Sequence, residues 1–161
     1  FMLPSEGGTY AFLFALGDAV TVRVGRLGVC VFAAGCYVYV GSALGGGGLR
    51  ARLCRHLKLK QSAKSHWHID VLRPYYCPLG GYYAVSRERL ECLWVRRLLA
   101  LQGVSVPLRG FGASDCRTGC PAHLLLLNPA KDVWDIHEAL ECQAKLIRFE
   151  AHWAENGLNL G

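Results

Sequence analysis

Between Thr9 and Val40 the chain alternates short apolar segments with turns too short to hold a parallel crossover, and this constrains its fold more than any other feature. Thr9–Leu16 (TYAFLFAL) is aromatic and aliphatic throughout, follows Gly7-Gly8 and reads as a buried strand. Gly17-Asp18 marks a turn. Val20–Val24 (VTVRV) alternates apolar and polar residues as a half-exposed strand does, and Val29–Phe32 and Cys36–Val40 follow, separated by Ala33–Gly35. The first quarter of the chain is expected to form an antiparallel meander.

The glycine run Gly45–Gly48 ends this sheet. Leu49–Lys60 then reads as a helix, with Leu49, Leu53 and Leu57 spaced by four. Ser65–Leu72 predicts a short helix capped by Ser65 and stopped before Pro74. Tyr82–Val85 is a candidate strand. Ser86–Gln102 predicts a helix, with Ser86 as cap and Gly103 as stop. Ala122–Leu127 is an apolar strand, and Asp132–Glu155 predicts a long helix with Val133, Ile136, Leu140, Ala144, Ile147 and Ala151 in one stripe. The expected class is α+β: a small antiparallel sheet flanked by helices, with an inserted hairpin and a long C-terminal helix.

At 161 residues, 52% of them hydrophobic and 19% charged, the chain has the material for one core and is not a disordered polymer. No stretch approaches the roughly 18 apolar residues that cross a bilayer. Ala11–Leu16 is short and lacks preceding basic residues, so it reads as strand and not as a secretion signal. Eight cysteines are scattered, several of them (Cys30, Cys36, Cys92) inside apolar runs, which suggests reduced, packed thiols and a cytoplasmic setting. The net charge of +6 and a pI near 9.0 favour a polyanionic partner.

Three groups of residues carry chemistry. On a helical wheel Leu90, Trp94, Leu98 and Leu101 form a stripe, with Glu91 at its edge and Glu88 turned to solvent. A carboxylate at a core edge needs a cation, so Glu91 is either half of a salt bridge or a metal ligand. Arg52 and His56 stand four apart and share a helix face. They point into a site, while Arg50, Arg55, Lys58 and Lys60 lie elsewhere around the helix and are placed to neutralise phosphates; alternatively the whole helix is a solvated basic surface. Tyr10, Tyr37 and Tyr39 lie on strands, where aromatic residues are more often core than catalyst.

Gly8-Thr9-Tyr10 and Tyr39-Val40-Gly41 resemble the two halves of the GIY-YIG nuclease signature. Arg52–His56 (RLCRH) resembles the helical Arg and His of that superfamily, and Glu91–Trp94 (ECLW) the segment holding its metal-binding Glu. The runs Phe32–Gly48 (FAAGCYVYVGSALGGGG), His66–Asp70 (HWHID) and Gly110–Cys116 (GFGASDC) are similar to the narrower Uri-like group, some members of which are fused to a base-excision DNA glycosylase. The resemblance implies one nuclease domain over 1–161, with a core over about 8–102 and a group-specific extension over about 103–161. Typical members join the two tyrosine motifs by one tight hairpin. Here the stretch between Tyr10 and Tyr39 is long enough for an inserted strand or hairpin, and Thr9 stands where the signature has Ile.

The resemblance implies a divalent-metal-dependent endonuclease acting on DNA in a repair setting, with RNA as a further substrate class. Glu91 would hold Mg²⁺ or Mn²⁺, since Mg²⁺ needs few protein ligands. Tyr39 or Tyr10 would take a proton from water, and Arg52 and the metal are expected to favour the phenolate. His56 would accept a proton or hold the tyrosine in place, and Arg52 would bond the phosphate. His66, Trp67 and His68 are candidate substrate contacts, although His66, His68 and Asp70 also carry zinc-competent atoms. Cys116, Cys120 and His123 supply three zinc ligands with no evident fourth, so a tight loop of packed thiols is the favoured reading over structural Zn²⁺. Ser114 and Asp115 are placed to reach the site from the same loop. With no second DNA-binding element in the sequence, cleavage would be directed by substrate structure or by a repair partner. The competing readings are a nucleic-acid-binding module that has lost catalysis and a zinc-stabilised interaction protein.

Overall fold

The apolar run near the N-terminus becomes the central strand of the molecule. The structure is a computed structural model describing residues 3–57, 67–127, 133–140 and 145–148. In strand β1 (Gly8–Leu16) every residue is buried except Ala15, which is half-buried. Such a strand needs a hydrogen-bonded neighbour on each edge and cover on each face, because water reaches neither. Two long strands supply the edges. β4 (Gly35–Ser42) pairs antiparallel with β1 from Thr9↔Ser42 to Leu16↔Gly35, and β5 (Tyr76–Val85) from Gly8↔Val85 to Leu16↔Tyr76. β6 (Leu124–Leu126) adds outside β4 and β7 (Lys145–Arg148) outside β5, giving the order β6-β4-β1-β5-β7, antiparallel throughout.

Period-two alternation sorts the side chains into two cores. Tyr10, Phe12 and Phe14 of β1 and Tyr37 and Tyr39 of β4 face Leu49, Leu53 and Leu57 of α1 (Gly48–Leu57), together with Phe111. Ala11, Leu13, Val38 and Val40 face the opposite way, onto Trp94, Val95 and Leu98 of α2 (Glu91–Leu99) and Ile136 and Leu140 of α3 (Val133–Leu140). The expected small antiparallel sheet flanked by helices is what forms. Fully burying each such Leu, Phe or Val contributes roughly 1.5–3 kcal/mol.

The meander does not form as expected. β2 (Val20–Arg23) and β3 (Val29–Phe32) pair only with each other, as a separate hairpin, and β1 pairs directly with β4. The hairpin packs one apolar face, Val20, Val22, Cys30 and Phe32, on the core and turns Thr21, Arg23, Val29 and Val31 outward, whereas the four central residues of β4 are all buried, as a central position requires. The insertion between the two tyrosine motifs thus leaves the main sheet, and Tyr10↔Gly41 and Phe12↔Tyr39 are direct neighbours.

The second helix starts four residues later than the Ser86 cap predicts. The Ser86 N–H donates to the Gly7 carbonyl, the Glu88 N–H to Ser86 Oγ and the Leu90 N–H to Thr9 Oγ1. These outside acceptors hold the segment in a turn, so Glu91 opens the helix and lies in its first turn, where the helix dipole favours a carboxylate. The helix ends at Leu99, short of Gln102.

The predicted long C-terminal helix is also corrected. Its first part is α3, but residues 145–148 are strand, paired with Gly80–Tyr83 of β5. The open edge of β5 offers unpaired backbone groups that a helical stripe in the sequence cannot reveal. β5 itself begins well before Tyr82 and passes Pro78 through a bulge between Leu13 and Phe14 of its partner. The predicted helix over Ser65–Leu72 is a 3₁₀ turn at His68–Val71, held by the Asp70 carboxylate accepting the Trp67 N–H at 3.1 Å. Ser65, His66 and Lys58–Lys60 lie outside the described residues, as do 141–144 and 149–155 of the predicted C-terminal helix. Among the described residues no helix is long and apolar enough to cross a membrane.

Candidate active site

Where α1 crosses the ends of β1 and β4, residues distant in sequence line one pocket of about 570 Å³. β1 contributes Tyr10, β4 Tyr39, Gly41 and Ser42, and α1 Arg52 and His56. Trp67 and His68 come from the 3₁₀ turn and its approach, Arg89 and Glu91 from the start of α2, and Gly112, Ser114, Asp115 and His123 from the loop after it. All five residues of the tyrosine, arginine, histidine and glutamate set are therefore brought together, with Trp67, His68, Ser114 and Asp115 beside them.

Tyr10 and His56 form the buried end. The Tyr10 hydroxyl lies 2.8 Å from His56 Nε2, and a Cβ at position 41 would collide with that hydroxyl, so only glycine leaves room for the ring. The His56 imidazole stacks on Phe12 at 5.2 Å and 22°, and is 1% exposed. Burial, reinforced by Arg73, pulls its pKa down to about 3, so it is neutral at ordinary pH. A neutral imidazole has one donor and one acceptor nitrogen; here Nδ1 has no partner.

Tyr39 is 8% exposed, against 2% for Tyr10, and its ring lies against Gly112, which adopts a φ of +71°. Burial raises both phenols well above the ordinary tyrosine value. Arg52 opposes this at both, and at Tyr39 it is the largest opposing influence, but burial prevails. Arg52 acts toward the phenolate at both residues, in the expected direction, but burial outweighs this one neighbouring cation.

The Arg52 guanidinium lies 4.1 Å from the centre of the Trp67 ring, a cation–π contact that orients it at the pocket wall. Arg55 makes the same contact at 4.1 Å, but its Nη2 also bonds Asp70 Oδ2 at 2.8 Å. Arg73 pairs with the other Asp70 oxygen. Asp70 is therefore the buried anchor of the 3₁₀ turn and not a metal ligand, and Arg55 is tied into that anchor instead of standing free for phosphate. Arg50 is exposed and outside the pocket, with Nε donating to the Leu3 carbonyl at 3.0 Å. His68 Nδ1 accepts the Gly112 N–H at 2.9 Å, which couples the turn to the loop opposite. Lys58, Lys60 and His66 are outside the described residues.

Glu91 is 7% exposed. Its Oε1 lies 3.7 Å from Nη1 of Arg89, a side chain that is 67% exposed. So loose and solvated an ion pair contributes little. Its Oε2 is buried with no hydrogen-bond partner among the described residues. A buried carboxylate oxygen with nothing to meet it is costly, and a divalent cation in the pocket would satisfy it. Ser42 Oγ is likewise buried and unpartnered, and like Arg89 it was missed in the sequence, where it is one polar residue in a strand end.

A second cluster adjoins the pocket. Cys92, Cys116, Cys120 and His123 bring their donor atoms within 4.8 Å of one another, and together they can hold a metal ion. Cys92 Sγ lies 3.6 Å from Cys116 Sγ and 4.0 Å from His123 Nε2. Burial pushes the Cys116 thiol up, but hydrogen bonds from Thr118, Cys120 and His123 bring it down to about 5, while burial and the neighbouring Cys92 and Cys116 hold Cys120 up at about 12. The missing fourth ligand is Cys92, which reads in the sequence as a thiol packed in an apolar run.

Comparison with curated proteins and with solved structures finds no match to this chain. A family described as a domain of unknown function, DUF123, matches residues 9–146. Since that match spans most of the chain, including the pocket, the cysteine cluster and the helices among the described residues, the chain belongs to the DUF123 family.

Proposed function

We propose that this chain is a divalent-metal-dependent endonuclease that hydrolyses phosphodiester bonds in DNA, of the GIY-YIG kind that its motifs resemble. The observation that carries this reading is the convergence of Tyr10, Tyr39, Arg52, His56 and Glu91, drawn from four separate elements, on one pocket with an unpartnered carboxylate oxygen at its wall.

Glu91 Oε2 would hold Mg²⁺ or Mn²⁺, which when bound supplies positive charge to the phosphate and to the leaving oxygen. The remaining work falls to the chain itself. Arg52, oriented by Trp67, donates to the phosphate oxygens as charge develops on them. His56, neutral and buried, holds the Tyr10 hydroxyl through Nε2. As the phenolate, the form that Arg52 and a cation at Glu91 would both favour, Tyr39 takes the proton of the attacking water, and it is the more exposed of the two tyrosines. Trp67 and His68 contact the nucleotide beside the scissile bond. The basic balance of the chain and the resemblance to proteins fused to a DNA glycosylase favour a repair substrate selected by its structure or by a partner.

Labelled single-stranded, double-stranded and branched DNA, incubated with pure protein and Mg²⁺, Mn²⁺ or EDTA beside Glu91→Ala, tests the proposal. Cleavage that requires both the metal and Glu91 is the expected result. Salt-sensitive binding with no cleavage of any substrate would overturn it in favour of a binding module.

A further inference from the structure

We infer that Cys92, Cys116, Cys120 and His123 bind one structural zinc ion that fastens the loop walling the pocket to the first turn of α2. Three thiols and an imidazole are the donor set that selects zinc over Mg²⁺ or Ca²⁺, and four protein ligands leave no open position, which marks a structural site. With Zn–S bonds of about 2.3 Å, two sulfurs on a tetrahedron stand about 3.8 Å apart. The 3.6 Å between Cys92 Sγ and Cys116 Sγ fits that edge. It is far too long for a disulfide, whose sulfurs lie about 2.05 Å apart.

The ligands are held in place by the backbone. His123 donates its N–H to the Phe111 carbonyl at 2.8 Å, and its own carbonyl accepts the Val40 N–H at 2.9 Å, which seats it against β4. Cys92 is fixed in the first turn of α2. Between them, residues 112–121 contain no helix or strand and close on turns such as Ala113 N–H to Gly110 O and Cys116 N–H to Ala113 O, both at 3.1 Å. A segment so poor in regular structure gains order from a metal clip. The same loop supplies Gly112, Ser114 and Asp115 to the pocket, and the same helical turn supplies Glu91. Zinc there sets the spacing between the carboxylate and the wall opposite. Zinc binding stands independently of the nuclease reading; only its effect on cleavage rests on that reading.

The test is elemental analysis of the full chain, purified without chelator and dialysed against zinc. The expected content is one zinc per chain, reduced well below that in Cys92→Ser, Cys116→Ser and Cys120→Ser and unchanged in Cys77→Ser, whose thiol is exposed and outside the cluster. Wild-type protein stripped and titrated with Co²⁺ keeps the test decisive where a variant fails to fold. It should show thiolate charge-transfer and tetrahedral ligand-field bands that zinc displaces. Wild-type protein that takes up neither metal, zinc retained in full by the Cys92→Ser variant, or a native mass two protons short from a Cys92–Cys116 disulfide would each overturn the inference. A zinc-replete protein that cleaves nothing would leave this inference standing and remove the nuclease reading alone.

Discussion

Glu91 and Cys92 are consecutive residues in the first turn of α2, yet they serve regions of opposite chemistry. The pocket around Glu91 is made of hard oxygen donors, phenols and a guanidinium, is open to solvent, and has a carboxylate oxygen without a partner. The cluster around Cys92 is made of soft donors, is half-buried, and its four donor atoms lie close to one another. One turn of helix can address both because neighbouring side chains leave it about 100° apart. An open hard site suits a weakly held cation that a substrate phosphate completes, and a closed soft site suits a permanently held one. On this reading the permanent metal keeps the transient one's ligand in position.

The sharpest way to break this comparison is to remove one member of the pair. Glu91→Ala is expected to abolish metal-dependent cleavage while DNA binding, measured by anisotropy, and zinc content stay near wild type. Loss of zinc in that variant would show that the two regions are one site. Its melting temperature should not fall, because the variant discards a buried oxygen that has no partner. A drop of several degrees would make Glu91 a structural residue.

A second effect separates the pocket from the basic surface around it. Arg52→Ala should lower the cleavage rate roughly a hundred- to a thousand-fold, as loss of a charge-stabilising donor does. Arg50→Ala should change it little, since Arg50 is exposed and outside the pocket. Equal effects would reduce Arg52 to a surface contact. Arg52→Ala should also move the alkaline rise of the rate to higher pH. Burial already holds Tyr39 above its ordinary pKa, and Arg52 is the charge that opposes it.

The smallest effect concerns folding. His56 has a pKa of about 3 in the native state against 6.5 when unfolded, so between these values the unfolded chain binds the extra proton. Stability contributed by the neutral, buried ring is therefore fully present above pH 6.5 and lost as pH falls toward 3. Melting curves of wild type across that window should slope down with acid, and His56→Asn should flatten the slope. An unchanged slope would mean that other groups govern acid unfolding.

Several of these residues were legible before any fold was known. Tyr10 and Tyr39 stand at the ends of apolar strand runs, Arg52 and His56 are one helical turn apart beside a leucine stripe, and Glu91 is a carboxylate on a core edge. Each is a local signal, carried by a period of two or 3.6 residues. Cys92 gave none, because a thiol in an apolar run looks the same whether it packs or binds. Arg55 was misread for a related reason: its partner Asp70 is fifteen positions away and on another element.

The sequence by itself determined β1, the strand segments after it, the helices α1 and α2 and the five candidate residues Tyr10, Tyr39, Arg52, His56 and Glu91, since amphipathic periodicity and residue type are properties of a few neighbouring positions. The tertiary structure alone decided that β2 and β3 leave the main sheet, that α2 begins at Glu91, that residues 145–148 are a strand, and that Cys92 completes the cysteine cluster. It also decided the protonation of the pocket. Burial raises the tyrosine pKa values and lowers that of His56, because desolvation depends on how much of the rest of the molecule stands between a group and water, and no window of sequence contains that quantity.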